Sequence, residues 1–149
     1  MTDQQDSLKL DSMLCFAVYA AGHAFTRFYK PRLDALGMTY PQYLVFLVLW
    51  ETDGLTVKAL GDKLFLDSGT ITPMVKRLEA RGLVRRQRDS VDERMVRIWL
   101  TDAGRALRAE ALAIPLAVGT ALGGDVEAGA AMRRGLEQLR QRLDAALES

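Results

Sequence analysis

Residues 56–100 restrict the fold of this 149-residue chain more than any other segment. Apolar residues recur there at the i, i+3, i+4, i+7 spacing of two short helices, namely Val57, Leu60, Gly61 and Leu64, then Ile71, Met74, Val75 and Leu78. Asp67-Ser68-Gly69 is predicted to be the turn between them, which places Pro73 close to the first turn of the second helix. Residues 83–88 and 94–100 read as extended chain around a polar turn. This order predicts two packed helices followed by one β-hairpin.

The segment before this unit predicts two longer helices. Residues 7–36 form the first, which Pro31 is expected to kink or divide and Gly37 to end. Thr39-Tyr40-Pro41 opens the second, because proline is tolerated in a first turn. Thr56 is then predicted to cap the first short helix of the central unit.

The C-terminal third continues the helical pattern. A helix is predicted from Thr101 to about Ile114, where Pro115 interrupts it. After Gly123-Gly124, a last helix carries a stripe of leucines at positions 136, 139, 143 and 147. The chain is therefore predicted to be mainly α-helical.

Composition limits the possible functions. A hydrophobic content of 49% with no apolar run of about 20 residues predicts a soluble protein without a membrane segment. The polar N-terminus is not a signal peptide, and a single cysteine fits the reducing cytoplasm. His23 is the only histidine, and no Cys/His/Asp cluster has metal-ligand spacing, so no metal or other cofactor is expected. No catalytic triad, phosphate loop or paired carboxylate motif stands out, which argues against an enzyme.

Charge is concentrated in the centre of the chain. The whole chain has a net charge of +1, yet residues 56–97 hold ten Lys/Arg against six Asp/Glu. A basic centre between neutral or acidic arms favours a nucleic-acid partner, although charge alone is equally compatible with an ordinary mixed-charge surface.

The second short helix and the hairpin together predict a DNA-reading surface. Small and hydroxylated residues lie opposite the apolar stripe of the helix, where they permit close approach to base edges. Arginines crowd around the hairpin turn, where one can enter a minor groove, and Asp92 is placed to hold the Arg94 guanidinium. A solvated charged face is the alternative. The predicted DNA-binding residues are Ser68, Thr70, Thr72, Pro73, Lys76, Arg77, Arg86, Arg88, Asp92 and Arg94.

Three stretches of the sequence resemble the MarR family of winged-helix transcriptional regulators. They are Leu-Gly-Asp-Lys-Leu at 60–64, the run from Thr-Pro-Met-Val-Lys-Arg to Gly-Leu-Val at 72–84, and Asp-Glu-Arg at 92–94. The resemblance extends over nearly the whole chain. It implies a mainly α fold, with a winged helix-turn-helix domain and a β-hairpin wing. It also implies that residues 68–81 lie in the major groove and that Arg94 enters the minor groove.

The resemblance further implies a dimerisation region built from the N- and C-terminal helices. We predict a single MarR-type domain over residues 1–149, with residues 39–100 as its DNA-binding part and residues 7–36 and 103–147 as dimerisation helices. A two-fold homodimer presents two readers to double-stranded operator DNA of pseudo-palindromic sequence. The alternative is that these helices pack only on their own core.

Cys15 is the second feature of interest. A cysteine between leucine and phenylalanine is usually an inert core residue, but Tyr19 lies at i+4 on the same helical face. Tyr29 is roughly 21 Å further along a straight helix. It reaches Cys15 only from a partner's antiparallel helix or after a break near Pro31, and Tyr40 by the same routes.

The Leu-Cys-Phe-Ala-Val-Tyr run and Asp-Ser-Gly-Thr-Ile-Thr-Pro at 67–73 resemble the organic hydroperoxide-sensing, OhrR-type branch of the family. This resemblance implies that Cys15 is the redox-sensing residue and that Tyr29 and Tyr40 are supplied across the dimer, with Tyr19 beside the cysteine. Oxidation of Cys15 by an organic hydroperoxide to a sulfenic acid would then release DNA and derepress a peroxide-detoxification gene.

Some proteins of this branch have a second, C-terminal cysteine, which this chain lacks. The sulfenic acid must therefore react with a low-molecular-weight thiol, cyclise with a backbone amide, oxidise further or bridge two subunits. Two other functions remain open at this stage. One is a MarR-type repressor released by a small phenolic or aromatic ligand, and the other is a thiol peroxidase.

Overall fold

The computed structural model describes residues 8–149, which form two compact units, one extending to Ala111 and one comprising Leu112–Ser149. The first unit contains five α-helices and three short strands: α1 (Leu14–Leu36), α2 (Tyr40–Glu51), β1 (Leu55–Thr56), α3 (Val57–Leu64), α4 (Ser68–Ala80), β2 (Val84–Arg88), β3 (Val96–Leu100) and α5 (Asp102–Ala111). The second contains α6 (Ala113–Ala121) and α7 (Val126–Leu147). The mainly α-helical class with a small β-wing is confirmed. The prediction of one domain over the whole chain stays a prediction.

Helix α1 begins later than predicted and is not divided. The predicted start at residue 7 lies outside the described residues, and a short 3₁₀ turn at Leu10–Ser12 precedes α1. The helix continues through Pro31 to Leu36, so the prediction of a division there was wrong. A proline removes one backbone hydrogen bond, and Leu33, which follows Pro31 in the same helix, is buried in the core, so packing favours continuation of the helix. Gly37 ends the helix as predicted, with φ of 68°.

Helix α2 begins within the predicted Thr39-Tyr40-Pro41 segment, and α3 begins at the predicted Thr56 cap. The Thr39 hydroxyl accepts a hydrogen bond from the backbone N–H of Gln42, and the Gln42 side chain accepts one from the Thr39 N–H, which forms a capping box. The Thr56 hydroxyl accepts from the N–H of Ala59 at 3.0 Å. The Thr56 cap is confirmed, and the capping box at Thr39 adds to the predicted start of α2.

Helix α4 begins earlier than predicted. The Asp67 carboxylate accepts a hydrogen bond from the N–H of Thr70 at 2.8 Å, so Asp67 is the cap and Ser68 and Gly69 are already helical. The expectation of a three-residue turn was therefore wrong. Pro73 consequently lies in the second turn rather than close to the first, and the Gly69 carbonyl loses its i+4 donor.

The sheet has one more strand than the predicted hairpin. β1 pairs antiparallel with β3, and β3 pairs antiparallel with β2, so the strand order is β1-β3-β2. β1 has only two residues, too few for a period-2 pattern to be visible in the sequence. β3 begins at Val96 rather than at residue 94, because Arg94 belongs to the turn. β2 is an edge strand whose outward backbone groups need partners other than β3.

The helical C-terminal segment breaks before Pro115. α5 ends at Ala111 and α6 starts at Ala113, which places Pro115 inside the first turn of α6, where its missing N–H costs no helical hydrogen bond. The predicted helix from Thr101 to Ile114 is therefore too long. α7 begins after Asp125, whose carboxylate accepts from the N–H of Ala128 at 3.0 Å.

The core of the first unit holds α4 and the β2–β3 hairpin in place. Its largest fully buried side chains come from α1, α2, α3, α4, β2 and β3: Leu33, Val45, Phe46, Leu49, Leu60, Ile71, Val75, Leu78, Val84 and Ile98. Burial of one such aliphatic side chain stabilises the fold by about 1.5–3 kcal/mol. The stripe on α4 fixes which face of that helix points outward.

Candidate functional site

The outward face of α4 carries the residues predicted to contact DNA. Ile71, Met74, Val75 and Leu78 are buried. The face opposite to them contains five exposed residues and one half-buried residue: Ser68, Thr70, Pro73, Lys76 and Arg77, with Thr72 half-buried. Two cations thus follow a small, hydroxyl-rich first half of the helix, where a polyanion can approach closely.

The wing turn holds an exposed arginine in a fixed geometry. The Arg94 guanidinium donates hydrogen bonds to both carboxylate oxygens of Asp92, at 3.1 and 3.2 Å, and the Arg94 N–H donates to the same carboxylate at 3.1 Å. The Arg94 side chain is 90% exposed. The hydrogen bonds from its guanidinium, followed by that from its N–H, hold the pKa of Asp92 below its usual range. The predicted contact between Asp92 and Arg94 is present.

The other two wing arginines in the predicted set differ in their surroundings. Arg88 is exposed and donates to the carbonyl oxygen of Glu93 at 3.1 Å, so its cationic head stays near the turn. Arg86 is only half exposed and faces α4, where its guanidinium pairs with Glu79 at 3.0 Å. The predicted DNA-binding role of Arg86 therefore has a competing intramolecular partner.

Three tyrosines meet at the junction of α1 and α2. The ring centroids of Tyr29 and Tyr40 are 5.1 Å apart, and Tyr43 lies 5.8 Å from Tyr29 and 6.3 Å from Tyr40. Tyr43 is buried, while Tyr29 and Tyr40 are half-buried. Burial, with the neighbouring Tyr40 and Tyr43, raises the pKa of Tyr29 to about 12, so its hydroxyl stays protonated and able to donate at physiological pH.

Cys15 lies at the other end of α1, away from these tyrosines. It is exposed, and Tyr19 on the next turn is 63% exposed and packs edge-on against His23 at 4.4 Å. Because α1 is continuous, fourteen residues separate Cys15 from Tyr29 by roughly 21 Å along the helix axis. The structure brings Tyr29 and Tyr40 together but brings neither to Cys15 of the same chain.

Apolar side chains remain exposed on both terminal helical regions. In the first unit they lie before and along α1: Leu8, Leu10, Leu14, Phe16, Val18 and Phe25. In the second unit one lies on α6 (Leu116) and two lie directly before and after that helix (Leu112 and Leu122). The other five lie on α7: Val126, Met132, Leu136, Leu143 and Leu147. No residue of α7 is buried. Several exposed apolar side chains on one element differ from the single, scattered apolar positions that are normal on a monomer surface.

Two kinds of site are not found in the part of the chain that the structure describes. Among residues 8–149, no group of three or more His, Cys, Asp or Glu side chains is placed to hold a metal ion. Within the same range, no single helix is long and apolar enough to cross a bilayer, and only residues 102–121 and 126–147 taken as a bent pair reach that length and hydropathy.

Two residues of these sites, Tyr43 and Glu79, were not predicted as site residues from the sequence. Tyr43 is the third ring of the tyrosine cluster, and its signal was the spacing Tyr40-Pro-Gln-Tyr43, which places both rings on one face of α2. Glu79 is the partner of Arg86, and nothing local in the sequence distinguishes it from other helix-surface glutamates.

The outward face of α4, the β2–β3 wing and the exposed cations on both define a winged-helix DNA-binding protein. Residues 27–110 match the family model described as Transcriptional regulator SarA/Rot. The chain belongs to the MarR-type family of winged-helix transcriptional regulators.

Individual relatives agree with this assignment. The chain is 53% identical over 144 residues to the HTH-type transcriptional regulator TtmR of Methylorubrum extorquens (strain PA1), covering 97% of this chain and 74% of that one. It is 47% identical to the Organic hydroperoxide resistance transcriptional regulator of Bacillus subtilis (strain 168), over 100% of this chain and 97% of the relative. The solved structure of reduced AbfR bound to DNA matches with a TM-score of 0.83 at 36% identity, over 97% of this chain and 99% of that one. These proteins are regulators, which confirms the prediction that the chain is not an enzyme.

Proposed function

We propose that this DNA-binding regulator is a cytoplasmic repressor that senses organic hydroperoxides through Cys15. The observation that carries the proposal is the surroundings of the thiol, which is exposed on α1 beside the apolar side chains of Leu14 and Phe16 and one turn from Tyr19. An apolar approach favours an organic hydroperoxide over hydrogen peroxide. Full-length similarity to the Bacillus subtilis relative, named for organic hydroperoxide resistance, supports the same assignment.

The proposal requires a homodimer. Exposed apolar side chains along α1, and separately along α7, support association with a second copy, because burial of this surface contributes about 25 cal/mol per Å². In a two-fold dimer with antiparallel α1 helices, Tyr29 and Tyr40 of one subunit approach Cys15 of the other. The length of the continuous α1 favours this route over one within a single chain.

The sensing reaction is a two-electron oxidation of sulfur. The Cys15 thiol loses its proton, and the thiolate attacks the terminal oxygen of the hydroperoxide as the O–O bond breaks. The alkoxide leaves and takes up a proton to become an alcohol, and Cys15 becomes a sulfenic acid. Neutral Tyr29 and Tyr40 hydroxyls are suited to donate hydrogen bonds to the thiolate, because burial keeps the pKa of each raised.

The oxidised sulfur then acts on DNA binding through the tyrosines. A sulfenic acid, or its mixed disulfide with a low-molecular-weight thiol formed with loss of water, is larger than a thiolate and displaces the hydroxyl groups. Because Tyr40 begins α2 and α2 packs on α3, the change alters the spacing of the two recognition helices. Release from the pseudo-palindromic operator then derepresses a peroxide-detoxification gene.

On the operator, α4 is proposed to lie in the major groove and the wing to reach the minor groove. Arg94 is the groove-entering cation, and Asp92 fixes its direction. The other proposed contacts are Ser68, Thr70, Thr72, Pro73, Lys76, Arg77 and Arg88, all exposed except the half-buried Thr72.

A second candidate is release by a phenolic or aromatic ligand. The half-buried rings of Tyr29 and Tyr40 over the buried ring of Tyr43 favour it, because such a cluster offers stacking surface with polar ends. The two candidates differ in their dependence on the thiol: ligand-driven release is indifferent to Cys15, whereas peroxide sensing requires it.

The decisive experiment measures fluorescence anisotropy of the reduced protein on a labelled duplex from upstream of its own gene. Cumene hydroperoxide should release the wild type at near one equivalent per subunit, dithiothreitol should restore binding, and Cys15→Ser should stay bound throughout. Hydrogen peroxide at the same concentration should act more slowly.

Two outcomes would contradict the proposal. Wild-type protein that stays bound in cumene hydroperoxide would remove Cys15 from the mechanism, as would equal release of Cys15→Ser. Release of both proteins by salicylate without any oxidant would establish the ligand-driven alternative instead.

A further inference from the structure

Glu79, on the last turn of α4, makes two contacts with a single residue of the wing. One carboxylate oxygen accepts a hydrogen bond from the backbone N–H of Arg86 at 2.7 Å, and the other accepts from the Arg86 guanidinium at 3.0 Å. The two side chains are 34% and 33% exposed, so water screens the pair less than it screens a fully exposed one. The contact joins the recognition-type helix directly to strand β2.

The backbone contact answers a specific need of β2. Because β2 is the edge strand of the sheet, alternate N–H groups point away from β3. Glu79 satisfies the outward N–H of Arg86, and the hydrogen bonds from this N–H and then from the guanidinium lower the pKa of Glu79, which therefore stays ionised at neutral pH. A charge-assisted pair of bonds of this kind resists rotation better than either bond alone.

The turn between Glu79 and Arg86 is also held by hydrogen bonds. The Thr101 hydroxyl donates to the carbonyl oxygen of Gly82, and the Thr101 N–H donates to that of Leu83. The turn from α4 to β2 is therefore held at its middle by Thr101 and at its far side by Glu79. Both attachments add to the core packing of Val84 in holding β2 against α4.

We propose that Glu79 is a positioning residue for DNA binding, which fixes the wing relative to α4 through Arg86. Arg86 then supports DNA affinity through Glu79 and not through a phosphate contact. The inference rests on the DNA-binding function of the family and is independent of peroxide sensing.

Charge and geometry make opposite predictions for Glu79→Ala. Removal of a negative charge near DNA strengthens binding if only electrostatics matters. Release of the wing weakens it. Asp62→Ala is a matched control, because Asp62 is an exposed carboxylate on α3 that pairs within its own helix, with Lys58 at 3.1 Å. Arg85→Ala is the corresponding control for Arg86→Ala, since Arg85 is exposed on the same strand.

The experiment measures the affinity of reduced protein for the upstream duplex at several salt concentrations, for Glu79→Ala, Arg86→Ala, the double variant and both controls. We expect Glu79→Ala and Arg86→Ala each to weaken binding about five- to tenfold, with the double variant no weaker than either single one. The slope of log affinity against log salt should be unchanged in all three, because no phosphate contact is lost. Glu79→Gln, which keeps an acceptor for the N–H, should lie between Glu79→Ala and wild type.

Amide hydrogen exchange at Arg86 provides a readout that needs no DNA. Glu79→Ala should accelerate exchange at this amide, while Asp62→Ala should leave it unchanged. The proposal is overturned if Glu79→Ala binds DNA as tightly as wild type or more tightly. It is also overturned if Arg86→Ala alone weakens binding and lowers the salt slope by about one, which is the signature of a direct phosphate contact.

Discussion

Arg81, at the C-terminal end of α4, donates a hydrogen bond to the carbonyl oxygen of Gly37, the residue that ends α1. Gly37 has φ of 68°, and a Cβ there would lie 2.6 Å from Nη2 of Arg81. The end of the recognition-type helix is thus tied to the junction of α1 and α2, three residues before Tyr40. The left-handed backbone favours glycine at this position, and an added Cβ would also displace the flexible end of the Arg81 side chain from its hydrogen bond.

Gly37→Ala should therefore destabilise the protein more than backbone strain alone. The left-handed conformation costs an alanine about 1–2 kcal/mol, and loss of the Arg81 hydrogen bond adds about 1 kcal/mol. Gly82→Ala is the matched control, because Gly82 has φ of 74° with no atom within 4 Å of its added Cβ. Urea unfolding at a fixed protomer concentration measures both. Equal losses in the two variants would show that Arg81 contributes nothing at Gly37.

The tyrosine cluster predicts that the free energy of unfolding depends on pH in the alkaline range. A folded-state pKa of about 12 for Tyr29 exceeds the unfolded value near 10, so the folded state holds this proton more tightly. The stabilisation is complete below pH 10 and is lost as pH rises from about 10 to about 12. Tyr29→Phe should lose stability less steeply in that window, as measured by urea unfolding at a series of pH values.

Tyr19→Phe is the control for this titration, because Tyr19 is 63% exposed and lies outside the cluster. It should reproduce the wild-type dependence. A Tyr29→Phe curve parallel to wild type between pH 10 and 12 would contradict the burial of this hydroxyl.

Arg94 and Asp92, which pair in the wing turn, are expected to contribute differently to operator affinity. Arg94→Ala should weaken operator binding roughly tenfold, equivalent to about 1.4 kcal/mol, and lower the salt slope by about one. Asp92→Asn should weaken binding less, because the guanidinium keeps its charge and loses only its direction. With Arg94 at 90% exposure, neither change should shift the melting temperature appreciably. Arg108→Ala, the same charge change on an exposed position of α5, should leave the affinity close to wild type.

Local chemistry explains which parts of this fold the sequence predicts. The Thr39 and Thr56 caps and the Gly37 stop depend on residues within four positions, so their patterns are visible in the chain. The ion pair between Asp92 and Arg94 is predictable for the same reason.

Contacts between distant segments explain what the sequence does not predict. Strand β1 exists only because β3, forty residues later, offers it hydrogen bonds. Glu79 and Arg86 meet because the turn at Gly82 reverses the chain, and the sequence pattern alone assigns Arg86 to DNA. The break at Leu112 likewise precedes the proline that was expected to cause it. Whether Tyr29 meets Cys15 depends on a second chain, which no single-chain pattern encodes.

The apolar stripe on α7 predicts where association of two chains is most sensitive. Leu136 and Leu143 are 45% and 60% exposed and lie on one helical face with Met132 and Leu147. A glutamate at either leucine places a charge in a surface that is proposed to be buried between copies, so Leu136→Glu and Leu143→Glu should each shift sedimentation toward the monomer. Operator affinity should fall as the monomer fraction rises, because a monomer contacts only one half-site. Gln141→Glu adds a charge on the opposite face of α7 and should remain as associated as wild type. Dimeric Leu136→Glu and Leu143→Glu proteins with full operator affinity would exclude this face of α7 from the interface.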